Sequence, residues 1–384
     1  MGWWFVMIAC SLPHRFACFI WEEVTKMQLA KTFSQSTRRP LELISKLWSW
    51  LFLFCLIVFF SLAGPGFFDL FNFQSIGANM AIALIMALGQ TFVIIAGGID
   101  LSTGFVMGLS SVVAALTITR LNPATPLPLL VLGGIGAGLA AGLIPGLING
   151  WLIARLRVPP FIVTLGMLGI AEGIGFIFSG GGQPVSVQVN GIGQLGNGYL
   201  AYYVPNAGLS FFHLPTPLPP GVRPRDIVNI LPYPLVALVV LVIICHWLLS
   251  STRFGRHTYA VGGSSQAALR AGIPVVRHTI MIYLLSSLLA AIAGILYVFR
   301  YTNGEASSGD PLLLESIAAV VIGGASLYGG EGTIIGTLIG ALIIAIIQNG
   351  LVIIAVDPYW QYVAVGAVII LAVLVDQARR RVEA

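Results

Sequence analysis

Three acids stand where an apolar chain tolerates them least. Asp100 and Glu315 lie at the ends of long apolar runs, and Glu172 lies well inside one. A charged side chain at the centre of a membrane helix costs about 2.5–3.5 kcal/mol on insertion scales, so it is expected to face a cavity or a partner. There it can accept hydrogen bonds from a small polar solute or take up a proton. Capping a helix or reaching the interface is the competing role for Asp100 and Glu315. Asn149, Gln348 and Asn349 add amides inside apolar runs, either as hydrogen bonds between helices or as lining of the same polar pathway.

Other chemistry is poorly supplied. The 5 His show no metal-ligand spacing, and neither an HExxH nor a paired CxxC occurs. Every Lys precedes residue 47, and none follows the glycines of a GxxxxGK loop, so the chain has no Walker A site. If ATP drives this protein, another chain must bind it. A transport subunit with no cofactor or metal of its own is expected, rather than an enzyme.

The elements that position these residues follow from composition. Of 384 residues, 57% are hydrophobic and only 9% charged, against about 25% charged in a soluble domain. Mean hydropathy is +0.94. An all-α, polytopic transmembrane bundle is expected. Apolar runs long enough to cross a membrane of about 30 Å occur near 47–64, 78–96, 102–119, 127–150, 160–179, 231–250, 279–299, 312–326, 333–355 and 359–376. The run at 312–326 is short and two others nearly merge, which gives about ten spans with a range of eight to ten.

With the N-terminus inside and ten spans, only Arg120, Arg223, Arg225 and Arg300 of the 19 Lys and Arg fall outside. This sorting follows the positive-inside rule and makes both termini cytoplasmic. It also explains the net charge of +5 without a nucleic-acid partner, since the basic residues are sorted by side and not clustered. The 4 Cys include none in a segment assigned to the outside, so no disulfide framework is expected.

The expected organisation is a cytoplasmic segment 1–46, a transmembrane domain 47–378 and a cytoplasmic tail 379–384. Residues 1–20 hold an apolar stretch too short to span and unlike a signal peptide. Met27 begins a more ordinary sequence, which makes 1–26 a candidate mis-assigned start. Two connections stand out: an outside loop over 180–230, rich in Gly and Pro, and a cytoplasmic loop over 251–278. In the latter, Ser264-Ser265 can cap a short helix over 266–271 that Gly272 stops and Pro274 keeps from resuming. A capped helix of that kind suits docking on a partner, with an ordinary amphipathic connector as the alternative.

Glycines mark packing. Gly134, Gly138, Gly142, Gly146 and Gly150 recur every fourth residue, a small-residue stripe for close helix approach. Two further clusters, beginning at Gly97-Gly98 and Gly323-Gly324, share the pattern GG-x-x-L-x-x-G and are expected to break helices near the cytoplasmic face.

Several motifs together resemble a known family. Gly97-Gly98-Ile99-Asp100-Leu101-Ser102 with Gly104 is similar to the GGIDLSxG signature of ribose-type monosaccharide permeases of ABC importers. Val158-Pro159-Pro160-Phe161, Gly181-Gly182-Gln183-Pro184, Thr252-Arg253-Phe254-Gly255, Ala271-Gly272-Ile273 and the run from Ser316 to Gly324 continue the likeness, in order, over roughly 45–378. The chain departs from the family at Glu172 and within Gly329-Gly330-Glu331-Gly332, where the family often has Arg. It also keeps a single acid, Glu315, where an acidic pair is common, and its outside loop is longer.

The resemblance implies a multi-pass inner-membrane permease subunit moving a monosaccharide or similar small polar solute. It also implies a second permease subunit, a cytoplasmic pair of ATP-binding subunits and an extracytoplasmic solute-binding protein. The pathway candidates are Asp100, Glu172, Glu315, Asn149 and Asn349. The candidates for coupling to the ATPase are Gln266, Ala267, Ala268, Leu269, Arg270 and Gly272. The rival expectation is an ion-coupled secondary transporter with Glu172 or Asp100 as proton site.

Overall fold

The computed structural model describes residues 48–383 apart from Pro123, Thr216 and Pro358. The expectations for 1–46 therefore lie outside the described residues. Contacts divide the chain between Leu51 and Phe52, and the account below concerns the second unit.

In chain order the helices are α1 (Trp48–Ala63), α2 (Leu70–Ile95), α3 (Thr103–Arg120), α4 (Leu127–Leu156) and α5 (Pro160–Phe178). A peripheral insert follows, with β1 (Val185–Ser186), α6 (Ile192–Asn197), β2 (Tyr199–Val204), β3 (Gly208–Phe211) and β4 (Val228–Pro232). Then come α7 (Tyr233–Ser251), α8 (Arg253–Gly263), α9 (Ser265–Arg270), α10 (Val275–Tyr301), β5 (Asn303–Gly304), α11 (Asp310–Ile322), α12 (Ile334–Ile353) and α13 (Tyr359–Glu383).

Seven of these, α2, α3, α4, α5, α7, α10 and α12, are long and apolar enough to cross a membrane. α2 is the central helix, buried almost throughout from Ile76 to Ile95 and packed on α7, α10, α11 and α12. Its N-terminus at Leu70 lies eight residues before the run expected from 78. Asp69 caps it, accepting from Phe71 N, and the polar residues Asn72, Gln74, Ser75 and Asn79 simply continue the helix. α4, α5 and α7 lie outside this core with much apolar side chain uncovered, including Leu132, Ile144, Ile174 and Ile243.

All five glycines of the α4 stripe are buried. They let the helix press onto α3 and α10. A Cβ on Gly146 would come within 2.6 Å of Ser287 Cβ, and one on Gly150 within 2.8 Å of Ile280 Cα. Ser110 Oγ donates to the Gly138 carbonyl at 2.8 Å across the same seam.

The short apolar run expected at 312–326 falls largely on α11. α11 is only 13 residues long, about 20 Å at 1.5 Å per residue, and an irregular segment precedes it. Residues 304–309 run down α3 in the opposite sense, with Gly304 against Ser111, Ala306 against Gly108 and Gly309 against Gly104. Neither Gly104 nor Gly108 has room for a Cβ beside this backbone, which is why an irregular strand fits there. Irregular backbone at membrane depth is tolerated where protein covers it.

The chain is mostly helical, as expected, with strands in one connecting segment. The segment between α5 and α7 holds a three-stranded antiparallel sheet, β3-β2-β4, with Ala201 opposite both Phe211 and Ile230. Tyr199, Tyr202, Tyr203 and Val204 supply the aromatic and β-branched side chains that favour strands. β1 pairs with β5, tying the insert to the irregular segment. α6 seats on the C-terminal end of α10, where Asn197 donates to the Arg300 carbonyl at 2.8 Å.

The two glycine-pair clusters both end helices. Gly97 N donates to Ile94 O and Gly98 N to Val93 O, and Gly97 has φ +82°. Gly324 N donates to Val321 O and Ala325 N to Val320 O, and Gly324 has φ +89°. This is the bond pattern of a left-handed glycine stop. Its equivalent residues, Gly97 and Gly324, are one position out of the register that the shared letters suggest. The two loops meet directly, since Gly330 N donates to Ile95 O at 2.8 Å.

Candidate functional site

The five pathway candidates fall into three places. Asp100 and Asn149 join a closed lock. The turn between α2 and α3 folds Asp100 back into the bundle, fully buried, where one carboxylate oxygen accepts from Ser102 N at 3.0 Å and Ser102 Oγ at 2.6 Å. The other accepts from Ser286 Oγ of α10 at 3.1 Å. Asn149 of α4 donates to Ser102 Oγ at 3.0 Å. Gln90 of α2 bonds the Asp100 carbonyl and Thr103 Oγ1, and Thr164 of α5 reaches Ile99 O at 3.2 Å. The turn thus ties five helices together, with the carboxylate itself joining Ser102 to Ser286 of α10. Both its oxygens already have donors, which suits holding the turn better than taking up a solute.

Glu315 and Asn349 meet in a chamber of about 350 Å³ between α2, α11, α12 and α13. Gln348 Nε2 donates to Glu315 Oε1 at 2.7 Å. Asn349 Oδ1 is buried and has no partner. Ser75, Asn79 and Gln361 complete the polar lining, and Arg300 bonds Asn79 Oδ1 at 2.5 Å near its rim. The volume lies within the usual range of small-molecule sites, and the lining is mixed apolar and amide, as such sites require. Sequence reasoning missed Ser75, Asn79 and Gln361. The i, i+4 spacing of Ser75 and Asn79 was the available signal, but Ser75 fell before the expected start of the span at 78.

Glu172 joins neither group. It is half-buried on α5 and has no hydrogen bond or ion pair among the described residues. Gly166, Gly169 and Gly173 of the same helix have open space where a Cβ would stand. Glu305, another acid that sequence reasoning passed over, is held in the irregular segment by Tyr297 OH at 3.2 Å and Ser307 Oγ at 3.1 Å.

The coupling candidates form α9. Ser264 Oγ accepts from Ala267 N at 3.2 Å, and Gly272, with φ +82°, ends the turn as its N–H reaches Leu269 O. Gln266, Ala267, Leu269 and Arg270 are exposed. Ala268 is instead 3% exposed, turned into its own chain, and so is not a contact residue for another protein.

Before α9 stands an 11-residue helix, α8, that sequence reasoning missed. Thr252 caps it, Phe254 lies 4.7 Å from the His278 ring, and Thr258 bonds His278 Nε2 at 3.0 Å. Tyr259 OH donates to the Gly332 carbonyl at 2.7 Å, and burial raises its phenol above the usual value, so the donor stays protonated. Gly262 presses on Ile95 O and Gly330 N with no room for a Cβ. α8 is therefore seated on both glycine loops, one of which continues into the Asp100 turn. Glu331, in the second loop, is exposed.

Long apolar helices around a small polar chamber, with an outward-facing capped helix at one end, define a membrane transport protein. Residues 73–373 match the family described as branched-chain amino acid transport system / permease component, and the chain belongs to that family. It is 38% identical over 338 residues to the ribose import permease protein of Bacillus subtilis, covering 88% of this chain and 94% of that one. The fructose import permease protein of Rhizobium meliloti is 37% identical over 329 residues, with coverage of 86% and 84%. The xylose transport system permease protein of Haemophilus influenzae is 34% identical over 371 residues, with coverage of 85% and 94%. No solved structure matches the chain.

Proposed function

We propose that this chain is the permease subunit of an ABC importer for a monosaccharide. Its most similar relatives are named for ribose, fructose and xylose, although the family description names branched-chain amino acids. The observation that carries the sugar reading is the chamber at Glu315, Gln348 and Asn349. A carboxylate and two amides offer acceptors and donors to adjacent hydroxyls, and the free Asn349 oxygen is one acceptor with nothing to accept from. A branched-chain side chain would leave those groups unpaired, at about 1–3 kcal/mol each.

The seven long helices, with α1, the first half of α13 and α11 extended by its irregular segment, supply ten crossings. An even number puts both termini on one side, and the charge sorting makes that side cytoplasmic. α9 then faces the ATP-binding subunits, and the sheet insert faces the solute-binding protein. The ion-coupled reading has less support, because the relatives bear import-permease names and Asp100 is fully bonded.

A second permease subunit covers α5 in this reading, since Glu172 would otherwise stand against lipid. A cysteine at Gly169 should then cross-link between two copies. If no position along that face ever cross-links, the subunit contact lies elsewhere. For the function itself, deleting the gene should remove uptake of one sugar from a panel of pentoses and hexoses, and re-expression should restore it. Unchanged uptake of every sugar would reject the proposal.

A further inference from the structure

The second glycine loop does more than seat α8. It joins α11 to α12, the helices that bring Glu315, Gln348 and Asn349 to the chamber. These two helices form a hairpin without slack. Neither Gly336 nor Gly340 of α12 has room for a Cβ, the first lying against the Gly323 carbonyl and the second against that of Ala319. Such close packing transmits strain and resists sliding of one helix over the other. Further along the hairpin Gln348 bonds Glu315 at 2.7 Å. The chamber lies about 20 Å along α12 from the loop, at 1.5 Å per residue.

The loop is fixed by its own bonds and turned outward. Tyr328 N donates to Ser326 Oγ at 3.1 Å, Gly329 N to Ser326 O at 3.0 Å and Ser326 N to Glu331 O at 3.1 Å. Held in that frame, Tyr328 is 72% exposed. Glu331 is exposed as well, and it makes no ion pair among the described residues. α9 is the neighbour. A Cβ on Gly330 would stand 3.4 Å from Gly263 Cα, and the residue after Gly263 is Ser264, the cap of α9. Residues 263–267 are all exposed, so α9 and the loop share one outer surface. Its charges are mixed. Arg253, Arg256 and Arg270 are exposed on α8 and α9, and Glu331 is the one exposed acid among the described residues of these helices and the two glycine loops.

Exposed aromatic rings that fit a pocket on a partner are the usual anchors of a protein interface. We propose that Tyr328 and Glu331 form a second contact for the ATP-binding subunit, and that this contact moves the α11–α12 hairpin and with it the chamber. The proposal rests on the importer reading and deepens it. α9 leads into α10, which carries Ser286 of the Asp100 lock. The loop leads into both helices that carry the chamber's acid and amides. The partner surface has an apolar seat for the Tyr328 ring, a basic residue opposite Glu331 and acids opposite the arginines. An anionic membrane surface would attract the arginines but repel Glu331, and so fits this mixed pattern less well.

The test uses membranes holding the full-length permease produced together with its ATP-binding subunits. A photoreactive benzoylphenylalanine replaces Tyr328, Arg270 of α9 or, as a control at the other end of the bundle, Tyr203 of the sheet. Illumination should join the first two positions to the ATP-binding subunit and leave the third unjoined. Glu331→Lys should lower co-purification of that subunit about tenfold with permease abundance unchanged. Tyr328→Ala should leave ATP hydrolysis running while uptake per complex falls at least about tenfold, which a loss of folding would not produce.

A cross-link from Arg270 with none from Tyr328, or unchanged co-purification of Glu331→Lys, would overturn the second contact and leave the importer reading standing. So would a cross-link from Tyr328 to another copy of this chain or to lipid in place of the ATP-binding subunit. Hydrolysis and uptake falling in step in Tyr328→Ala, or neither falling, would overturn the drive from loop to chamber. If neither Tyr328 nor Arg270 meets an ATP-binding subunit, the importer reading itself falls, so the two failures are distinguishable.

Discussion

Ala267→Glu is expected to abolish ATP-driven uptake while the permease still inserts at its normal level. Ala267 is exposed on α9, three residues after the capping Ser264. Glu is a good helix former, so the variant keeps the helix while placing a bulky charge on its exposed face. Whatever seats against α9 loses that contact. A loss of at least about tenfold in ATPase co-purification is expected, corresponding to about 1.4 kcal/mol of binding.

Ala268→Glu would be a poorer probe, because Ala268 is buried in its own chain and its replacement would damage the fold. The Ala267 variant also tests orientation, since only a cytoplasmic α9 can meet the ATPase. Normal uptake with an intact complex would move the coupling contact elsewhere, with the exposed turn around Arg155 and Arg157 the next place to look.

Glu315→Gln is expected to weaken the apparent affinity for the sugar about tenfold to a hundredfold without lowering the amount of protein in the membrane. The substitution keeps the shape and the bond to Gln348 but removes a charged acceptor, worth about 1.5–3 kcal/mol in a hydrogen bond. Asn349→Ala should cost less, about threefold to tenfold, because a neutral bond contributes about 0.5–1.5 kcal/mol. Asp100→Ala should behave differently and reduce abundance, since it strips the acceptor from Ser102 and Ser286 at a fully buried site. Uptake assayed against membrane abundance by quantitative blotting separates the two outcomes. A drop in abundance with unchanged affinity for Glu315→Gln would make that acid structural.

Much of this architecture was legible in the sequence, for local reasons. Apolar runs of spanning length, a Ser cap with a Gly stop, and a glycine every fourth residue are patterns that one helix writes by itself, and the first four residues of the GGIDLS motif lie in one turn. What was missed depends on distant contacts. Asp100 meets Ser286 across 186 residues, and the chamber draws on Ser75, Glu315, Asn349 and Gln361 from four helices. α8 carries Arg253, Arg256, His257 and Gly255 in 11 residues, so composition alone made it look like a loop. Its helix is set by the seat it finds on the glycine loops. The sheet was hidden by the glycines and prolines around it, and residues 304–309 gave no sign that they would pack as irregular backbone along α3.

The most direct measurement is uptake of a labelled monosaccharide into proteoliposomes holding the permease, its ATP-binding subunits and the solute-binding protein. The account predicts saturable uptake that requires ATP on the side of α9 and loaded binding protein on the other, and that is indifferent to proton or sodium gradients. Uptake driven by an ion gradient without ATP would contradict it, as would ATP-driven uptake of a branched-chain amino acid with no uptake of any sugar.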